Sequence, residues 1–223
     1  MSLRILSLLE ARVLAVLIEK AHTVPDSYPL SLNSLTLGCN QKTARDPVLN
    51  ASEADVQGAA DALRSLSLVF ESSGSRVTRY EHNLGRALGL PSQSVALLAV
   101  LMLRGPQTGS ELRANSERLH RFADLSSVEA FLDELAERPE EKGGPLVVKL
   151  PRAPGSRESR WAQLLCGPVD TSALPTSESG SNDLVATSEL AALRSQQAAL
   201  QAELAALRER VDHLYKELGV SGG

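Results

Sequence analysis

The alternation of hydrophobic and polar positions follows the same plan twice along the first 168 residues. Residues 14–17 (Leu-Ala-Val-Leu) recur at 98–101, and residues 74–80 (Gly-Ser-Arg-Val-Thr-Arg-Tyr) recur at 155–161 as Gly-Ser-Arg-Glu-Ser-Arg-Trp. Recurrence of this kind indicates one structural unit that is used twice. We therefore predict two modules, module one over residues 1–85 and module two over residues 86–166.

Three helices are predicted in each module. The first is a run of closely spaced apolar residues, which Pro91 opens in module two, and two shorter helices follow it. Several helix starts carry a capping box, in which a hydroxyl residue precedes an acid by three positions: Ser7 with Glu10, Ser52 with Asp55, Thr108 with Glu111, and Ser126 with Glu129. The third helices are predicted to end near Leu66 and Arg138. From Ser31 to Cys39 we predict the second helix of module one, although the leucine spacing there leaves a strand open as well.

Each module ends in a predicted β-hairpin. The strands of the first hairpin cover residues 68–71 and 77–83, on either side of Ser-Ser-Gly-Ser. Those of the second cover residues 146–150 and 160–165, on either side of the segment that contains Ala-Pro-Gly-Ser. Three helices closed by a hairpin form the winged-helix variant of the helix-turn-helix. We therefore predict a tandem winged helix-turn-helix body.

The pattern changes beyond the modules. Residues 167–183 are rich in Gly, Pro, Ser and Thr, so we predict a flexible linker over residues 167–185. Over residues 186–218, called the tail below, apolar residues recur in alternating steps of three and four, which is the seam of a coiled coil. The seam residues predicted to dimerise the chain are Leu190, Leu193, Leu200, Leu204, Leu207, Val211, Leu214 and Leu218. A helix packed on the chain's own body is the alternative, and the strand direction of the coiled coil stays open.

These elements define the predicted fold class: mainly α with small β-hairpins (α+β), as tandem winged-helix domains followed by a C-terminal coiled-coil helix. The composition fits it, since 43% of the residues are hydrophobic and 22% are charged, as in soluble globular proteins. No apolar run reaches the roughly 18 residues of a membrane helix. Glu10 and Arg12 interrupt the apolar N-terminal stretch, which argues against a secretory signal. We expect a cytoplasmic protein with no membrane association.

The net charge of −4 lies entirely beyond the two modules, in residues 169–223, which carry four basic and eight acidic side chains. Module one has eight basic and nine acidic side chains, and module two has eleven and ten. Third helices of helix-turn-helix proteins enter the major groove, where acidic side chains meet dense phosphate charge. Both predicted third helices are acidic, with these residues: Glu53, Asp55, Asp61, Glu129, Asp133, Glu134 and Glu137. This pattern is unfavourable for deep insertion into a groove.

Positive charge collects on the hairpins, where five arginines are candidates for nucleic-acid binding: Arg76, Arg79, Arg152, Arg157 and Arg160. Arginine on a hairpin can reach a minor groove or a phosphate. Exposed hairpins also carry arginine without any such function, and Tyr80 and Trp161 then simply anchor the strands on the helices. Both interpretations are open.

The loop after the second helix of module one gives a second group of candidates: Asn40, Gln41, Lys42 and Arg45. Amide side chains pair with adenine edges, and Lys and Arg pair with guanine or with phosphate. The alternative is a purely structural connector, in which Arg45 and Asp46 hold the turn before Pro47. The sequence favours neither.

No catalytic constellation is visible. The sequence contains no phosphate-binding glycine loop, no nucleophile elbow and no zinc-protease helix. Its four histidines are scattered, and Cys39 and Cys166 have no histidine or cysteine partner at zinc spacing. We therefore expect no enzymatic activity, no metal site and no cofactor, and we interpret Cys39 as a small core residue.

Six segments resemble the bacterial YceH family. They are residues 10–14 (Glu-Ala-Arg-Val-Leu), 28–33 (Tyr-Pro-Leu-Ser-Leu-Asn), 39–42 (Cys-Asn-Gln-Lys), 45–47 (Arg-Asp-Pro), 103–108 (Leu-Arg-Gly-Pro-Gln-Thr) and 111–113 (Glu-Leu-Arg). The resemblance covers roughly residues 5–166. It implies a tandem winged-helix protein, often with a coiled-coil tail, for which the fold suggests DNA binding and no catalytic site is assigned.

Two functions of different classes follow from these observations. The first is a homodimeric DNA-binding protein of the transcription-regulator type, which contacts double-stranded DNA through its hairpins and the loop of module one. The second is an interaction scaffold, in which the acidic third helices bind a basic protein partner. The fold favours the first by a small margin, whereas the charges favour the second.

Overall fold

The computed structural model describes residues 4–72, 77–152 and 157–169. All of these residues belong to one compact unit. The predicted coiled-coil seam, most of the linker and Arg76 lie outside the described residues. No helix in the described part of the chain is both long enough and apolar enough to cross a bilayer.

Module one begins with helix α1 and ends with a hairpin. Its elements are α1 (Leu8–Thr23), β1 (Leu30–Ser31), α2 (Leu32–Cys39), α3 (Glu53–Ser65), β2 (Val69–Ser72) and β3 (Arg79–His82). The three strands form an antiparallel sheet in the order β1-β3-β2. A helix, a short strand, two helices and a hairpin that pairs with the first strand make up a winged helix.

Module two repeats this order after the short helix α4 (Leu84–Leu88). Its elements are α5 (Ser92–Arg104), β4 (Gln107–Thr108), α6 (Gly109–Ser116), α7 (Leu125–Ala136), β5 (Val147–Lys149) and β6 (Arg160–Gln163), with the sheet order β4-β6-β5. The predicted fold class, helices with small antiparallel sheets in a tandem winged-helix arrangement, is therefore confirmed for the described residues.

Three of the four predicted capping boxes are present, at Ser7, Ser52 and Thr108. The fourth prediction is wrong, because α7 begins at Leu125 and Asp124 caps it by accepting a hydrogen bond from the Ser127 backbone N at 2.8 Å. Asp is a stronger acceptor than Ser, and it precedes Ser126 by two positions, so the helix starts earlier. It ends at Ala136 rather than at Arg138, since the residue before Pro139 is disfavoured in a helix.

The leucine-rich segment that left helix and strand open contains both. Residues 30–31 are strand β1, which pairs with β3, and the helix α2 starts directly after it. Ser31 caps α2 through the backbone N of Ser34 at 3.3 Å. The strands β1 and β4 and the helix α4 were not predicted, because two to five residues are too few to form a hydrophobic period.

The two modules pack against each other through α1 and α5. Every residue of α1 from Glu10 to Ile18 is buried, and so is every residue of α5 from Ser94 to Leu103. A helix that is buried on all faces belongs to the centre of a core. Both modules accordingly contribute to one continuous hydrophobic cluster.

Candidate nucleic-acid interface

The loop of module one that the sequence offered for base contacts is bound to its own module. The Asn40 amide donates to the Ala51 carbonyl oxygen at 2.8 Å and accepts from the Ala51 backbone N at 2.8 Å. The Gln41 amide donates to the Thr43 carbonyl oxygen at 3.0 Å and accepts from Lys20 at 3.4 Å. Both side-chain amides therefore have partners within the protein, in agreement with the structural interpretation of the loop.

Arg45 is buried, and its side chain has 0% exposure. Its guanidinium group donates to the Glu19 carboxylate at 2.6 Å and to the Gly38 carbonyl oxygen at 3.2 Å. Burial acts to raise the pKa of Glu19, but hydrogen bonding and charge from Arg45, with a contribution from Lys20, hold that pKa below its usual value. This burial removes Arg45 from the predicted nucleic-acid contacts and agrees with the structural interpretation of the loop.

A second buried arginine fixes the same loop from the other side. Arg12 donates to the Cys39 carbonyl oxygen at 3.2 Å and to the Pro47 carbonyl oxygen at 2.7 Å. Its pKa is lowered by burial and then by the charge of Arg45. The backbone N of Asp46 donates to the Leu103 carbonyl oxygen of α5 at 2.8 Å, so the loop lies at the junction of the modules. Of its predicted contact residues, Lys42 alone is exposed.

Arg79 and Arg160 occupy equivalent places in the two hairpins. Arg79 donates to the Pro29 carbonyl oxygen at 2.8 Å, and Arg160 donates to the Pro106 carbonyl oxygen at 2.8 Å. Each bond ties the last strand of a hairpin to the segment before the second helix. Arg160 also forms two hydrogen bonds with the Glu111 carboxylate, at 3.0 and 3.1 Å. Both arginines are exposed, yet each has a structural partner.

The aromatic residues of the hairpins are anchors. Tyr80 and Trp161 are buried, with 3% and 2% exposure. The Tyr80 hydroxyl donates to the Gln57 side chain on α3 at 2.8 Å, and the ammonium group of Lys149 lies 5.1 Å from the centre of the Trp161 ring. The hairpins are thus fixed to the helices, as the structural interpretation of the aromatics required.

Arg152 and Arg157 are exposed on either side of the second hairpin tip. The neighbour of Arg157, Glu158, accepts a hydrogen bond from the Ser110 hydroxyl at 3.1 Å. This bond brings the hairpin to the first turn of α6. The structure therefore places Arg157 beside a helix that carries further positive charge.

The sequence analysis missed three exposed arginines of module two, Arg113, Arg118 and Arg121. Arg113 lies on α6, and the other two lie in the connector between α6 and α7. Together with Ser110 and Phe122, Arg113 and Arg121 line an open cavity of about 400 Å³. These arginines are spread over a helix end and a loop among acidic residues, so they form no contiguous basic motif. Thr108 and Asp124, which cap α6 and α7, mark the limits of the segment that carries these arginines. They were the only sequence signal for this segment.

Arg113 and Arg121 are loosely held. Arg113 donates to the Ala123 carbonyl oxygen at 2.9 Å, and Arg121 lies 3.8 Å from the Glu117 carboxylate. At exposed sites, a separation of 3.8 Å gives a weak ion pair. Both guanidinium groups therefore keep free N–H donors for an anionic ligand.

The exposed face of α7 is negatively charged through Glu129, Asp133, Glu134 and Glu137. At its N-terminus, hydrogen bonds from the Ser127 side chain, the Ser127 backbone and the Ser126 side chain hold the pKa of Asp124 at about 2. In α3, hydrogen bonds from the Ser52 side chain and backbone lower the pKa of Asp55. Carboxylates therefore occupy the N-termini of both third helices.

The described residues contain no group of three or more histidine, cysteine or acidic side chains that converge as a metal site. Cys39 is fully buried, and burial raises the pKa of its thiol to about 12. A thiol with that pKa is protonated at neutral pH and is a poor nucleophile. The interpretation of Cys39 as a core residue agrees with this environment.

A family model with the description "Protein of unknown function, DUF480" matches residues 6–156. A UPF0502 protein of Methylibium petroleiphilum is 64% identical over 219 residues, which cover 98% of this chain and 92% of the relative. A UPF0502 protein of Burkholderia pseudomallei is 62% identical over 100% of this chain and 93% of its own length. A UPF0502 protein of Leptothrix cholodnii is 61% identical, with 98% and 97% covered. The chain, whose described residues form two winged helices around one core, therefore belongs to the DUF480 family of UPF0502 proteins.

Proposed function

We propose that the protein binds double-stranded DNA as a homodimer, in the manner of a transcription regulator. One observation carries the proposal: module two presents exposed arginines from α6, from the connector after it and from its hairpin. The winged-helix fold supports the same conclusion, because this fold is widely used to bind nucleic acid. The resemblance to the YceH family supports it in the same way.

The chemistry of the interface favours phosphate over bases. A guanidinium group matches a phosphate in charge and geometry, and contacts of this kind position a protein on a duplex without reading its sequence. The amide side chains that could read base edges, Asn40 and Gln41, are bonded within module one. We therefore assign the DNA contacts mainly to backbone phosphates.

Dimerisation belongs to this proposal through the tail. Its leucine seam predicts a two-stranded coiled coil, and two linked bodies bind one duplex at a high effective concentration. The predicted linker is long enough, as a flexible chain, for each body to find its own contact along the DNA. The weak phosphate contacts of one body are thereby strengthened by those of the second.

The acidic face of α7 supports a second candidate function. Four exposed carboxylates on one helix fit a basic protein partner better than they fit a duplex. In that case the protein is a dimeric scaffold, and DNA is not its ligand. The acidic face of α7 is unfavourable for DNA and favourable for a basic protein. One DNA-binding experiment therefore distinguishes the two functions.

The test is the retention of a random pool of duplex DNA by the full-length protein at increasing salt, followed by sequencing of the retained duplexes. DNA binding predicts that log K falls linearly with log[salt], by about 0.9 for each phosphate contact. Enriched sequences with a regular spacing between half-sites would in addition reveal a dimeric regulator. Failure to retain any duplex at about 50 mM salt would contradict the proposal and favour the scaffold.

A further inference from the structure

We infer that module two, and not module one, supplies the phosphate contacts of this protein. The inference rests on the proposed DNA binding and assigns it to one of two modules that share the same fold. It follows from a comparison of equivalent positions, which the internal repeat makes possible.

The second helices of the modules, α2 and α6, correspond residue by residue. Ser31 and Thr108 cap them, and Leu35 and Leu112 are fully buried at the same distance from the cap. At the fifth position after the cap, however, module one has Thr36, whose hydroxyl donates to the Leu32 carbonyl oxygen at 3.0 Å. The equivalent residue of module two is the exposed Arg113. The two helices thus have the same buried face and different outer faces.

The next position differs in the size of the side chain and not in its charge. Leu37 of α2 has 67% of its surface exposed, whereas its equivalent in α6 is Ala114. Five positions beyond Arg113, module two has the exposed Arg118, and the equivalent residue of module one is Gln41, which is bonded to Thr43 and Lys20. Module one therefore presents an apolar and neutral surface where module two presents positive charge.

The connectors that follow α2 and α6 differ in the exposure of their arginines. In module one the connector arginine, Arg45, has 0% exposure and pairs with Glu19 at the module junction. In module two the connector is anchored by the buried Phe122, but its arginine, Arg121, has 85% of its side chain exposed. A buried and paired guanidinium group cannot reach a phosphate, whereas an exposed one can.

Module one also presents fewer exposed cations than module two. Nine Lys and Arg side chains of module two are exposed, against four in the described part of module one. Of those four, Arg4 pairs with Glu10, Arg64 pairs with Asp61 and Glu71, and Arg79 donates to the Pro29 carbonyl oxygen. Lys42 alone among the four has no such partner in the described part of module one. A smaller number of exposed cations gives a lower affinity for a polyanion.

The hairpin, α6 and its connector, which carry the arginines of module two, adjoin one another and form the proposed surface. The Ser110–Glu158 hydrogen bond of 3.1 Å joins the hairpin to α6, and Ser110 lines the same cavity as Arg113 and Arg121. Arg118 follows the C-terminus of α6, where the backbone N of Leu119 donates to the Ser116 carbonyl oxygen. The helix α6 spans about 12 Å, so phosphates can be contacted from the hairpin to the connector.

This surface avoids the acidic third helix. The Asp124 carboxylate already occupies the N-terminus of α7, and it would repel a phosphate there. The contacts therefore run along α6, its connector and the hairpin. A duplex that lies on this surface is bound through its backbone.

The experiment compares three full-length proteins: the wild type, the module-two variant Arg118→Gln/Arg121→Gln, and the module-one control Lys42→Gln/Arg79→Gln. Both variants remove two exposed positive charges, and thermal unfolding checks that each is folded. Affinity for one 30-base-pair duplex is measured by fluorescence anisotropy at four salt concentrations. We expect the module-two variant to lose about two units of salt slope and at least about tenfold in affinity at low salt. The control is expected to stay within about twofold of the wild type.

Each outcome is decisive. Loss of slope in the control alone, or an equal loss in both variants, overturns the inference and leaves the proposed DNA binding intact. A fourth protein, Arg152→Gln/Arg157→Gln, tests the hairpin of module two in the same titration. An unchanged slope in both module-two variants overturns the inference as well. A wild-type protein that binds no duplex overturns both the proposed function and the inference.

Discussion

Arg12 and Arg45 place two guanidinium groups inside module one, at the C-terminal end of α2. They donate to the Cys39 and Gly38 carbonyl oxygens, at 3.2 Å each. The last carbonyl groups of a helix have no partner within the helix, and positive charge is favoured at that end. The two arginines therefore replace a conventional cap and at the same time hold the loop that joins α2 to α3.

The substitution Arg45→Ala is expected to lower the free energy of unfolding by about 3 kcal/mol, because it leaves the buried Glu19 carboxylate without its main partner. Urea denaturation measures the change. The matched control is Lys42→Ala in the same loop, which removes an exposed charge and is expected to change the free energy by less than about 0.5 kcal/mol. Equal effects of the two substitutions would contradict the structural role of Arg45.

The sequence alone could not decide whether Arg45 contacts DNA or holds the loop, and the reason is physical. Its partner Glu19 lies 26 residues away on α1, and the choice between a buried ion pair and a DNA contact depends on that contact alone. Capping residues differ in this respect. The boxes at Ser7, Ser52 and Thr108 join residues three positions apart, so local spacing predicts them.

The position of α7 in the fold and the charge of its exposed face indicate different ligands. Its position is that of a recognition helix, whereas its exposed face carries four carboxylates. Single acids on a recognition helix can accept from cytosine, but several carboxylates together are repelled by the phosphates that border the major groove. The acids therefore keep α7 out of the groove if DNA is the ligand, and they form the binding face if the ligand is a basic protein.

Neutralising this face with Glu129→Gln/Asp133→Asn is expected to raise DNA affinity by about threefold to tenfold, since two like charges near the phosphates are removed. The measurement is the same duplex titration at low salt. The control Glu140→Gln/Glu141→Gln changes the net charge equally but beyond the C-terminal end of α7, and we expect less than a twofold effect from it. An equal gain in both variants would attribute the effect to net charge and not to the position of α7.

The shortest elements were beyond prediction because their identity depends on distant pairing. The strands β1 and β4 contain two residues each, and each is a strand only because it pairs with the last strand of its hairpin, Leu30 with Tyr80 and Gln107 with Trp161. Longer elements were predicted well, since the repeat supplies two copies of each pattern.

The whole body depends on the packing of α1 against α5. The sequence showed two apolar helices and two modules, but it did not show that these helices face each other. Side chains buried on every side, such as Val16 and Leu98, need neighbours from both modules. The relative position of the modules is consequently fixed by the core, so any DNA contact by module two holds module one at a defined distance from the duplex.

The predicted assembly can be tested in the tail. Replacing Leu200 and Leu207 with glutamate is expected to convert a dimer into a monomer, because charged side chains at two d positions disrupt the apolar seam. Sedimentation equilibrium measures the mass, and circular dichroism checks that the body remains folded. The control Ser195→Glu/Ala202→Glu changes positions opposite the seam and is expected to leave the dimer intact. A monomeric wild type would refute the predicted coiled-coil dimer.

The two ends of the body lie side by side. The backbone N of Leu6 donates to the Leu165 carbonyl oxygen at 2.8 Å, and a Cβ atom at Gly167 would lie 3.5 Å from the Ile5 side chain. Neighbouring ends make a fold tolerant of circular permutation. A gene that encodes module two first, then a short bridge, and then module one would assemble the same core. The order of the modules along the chain is thus separable from their arrangement in space.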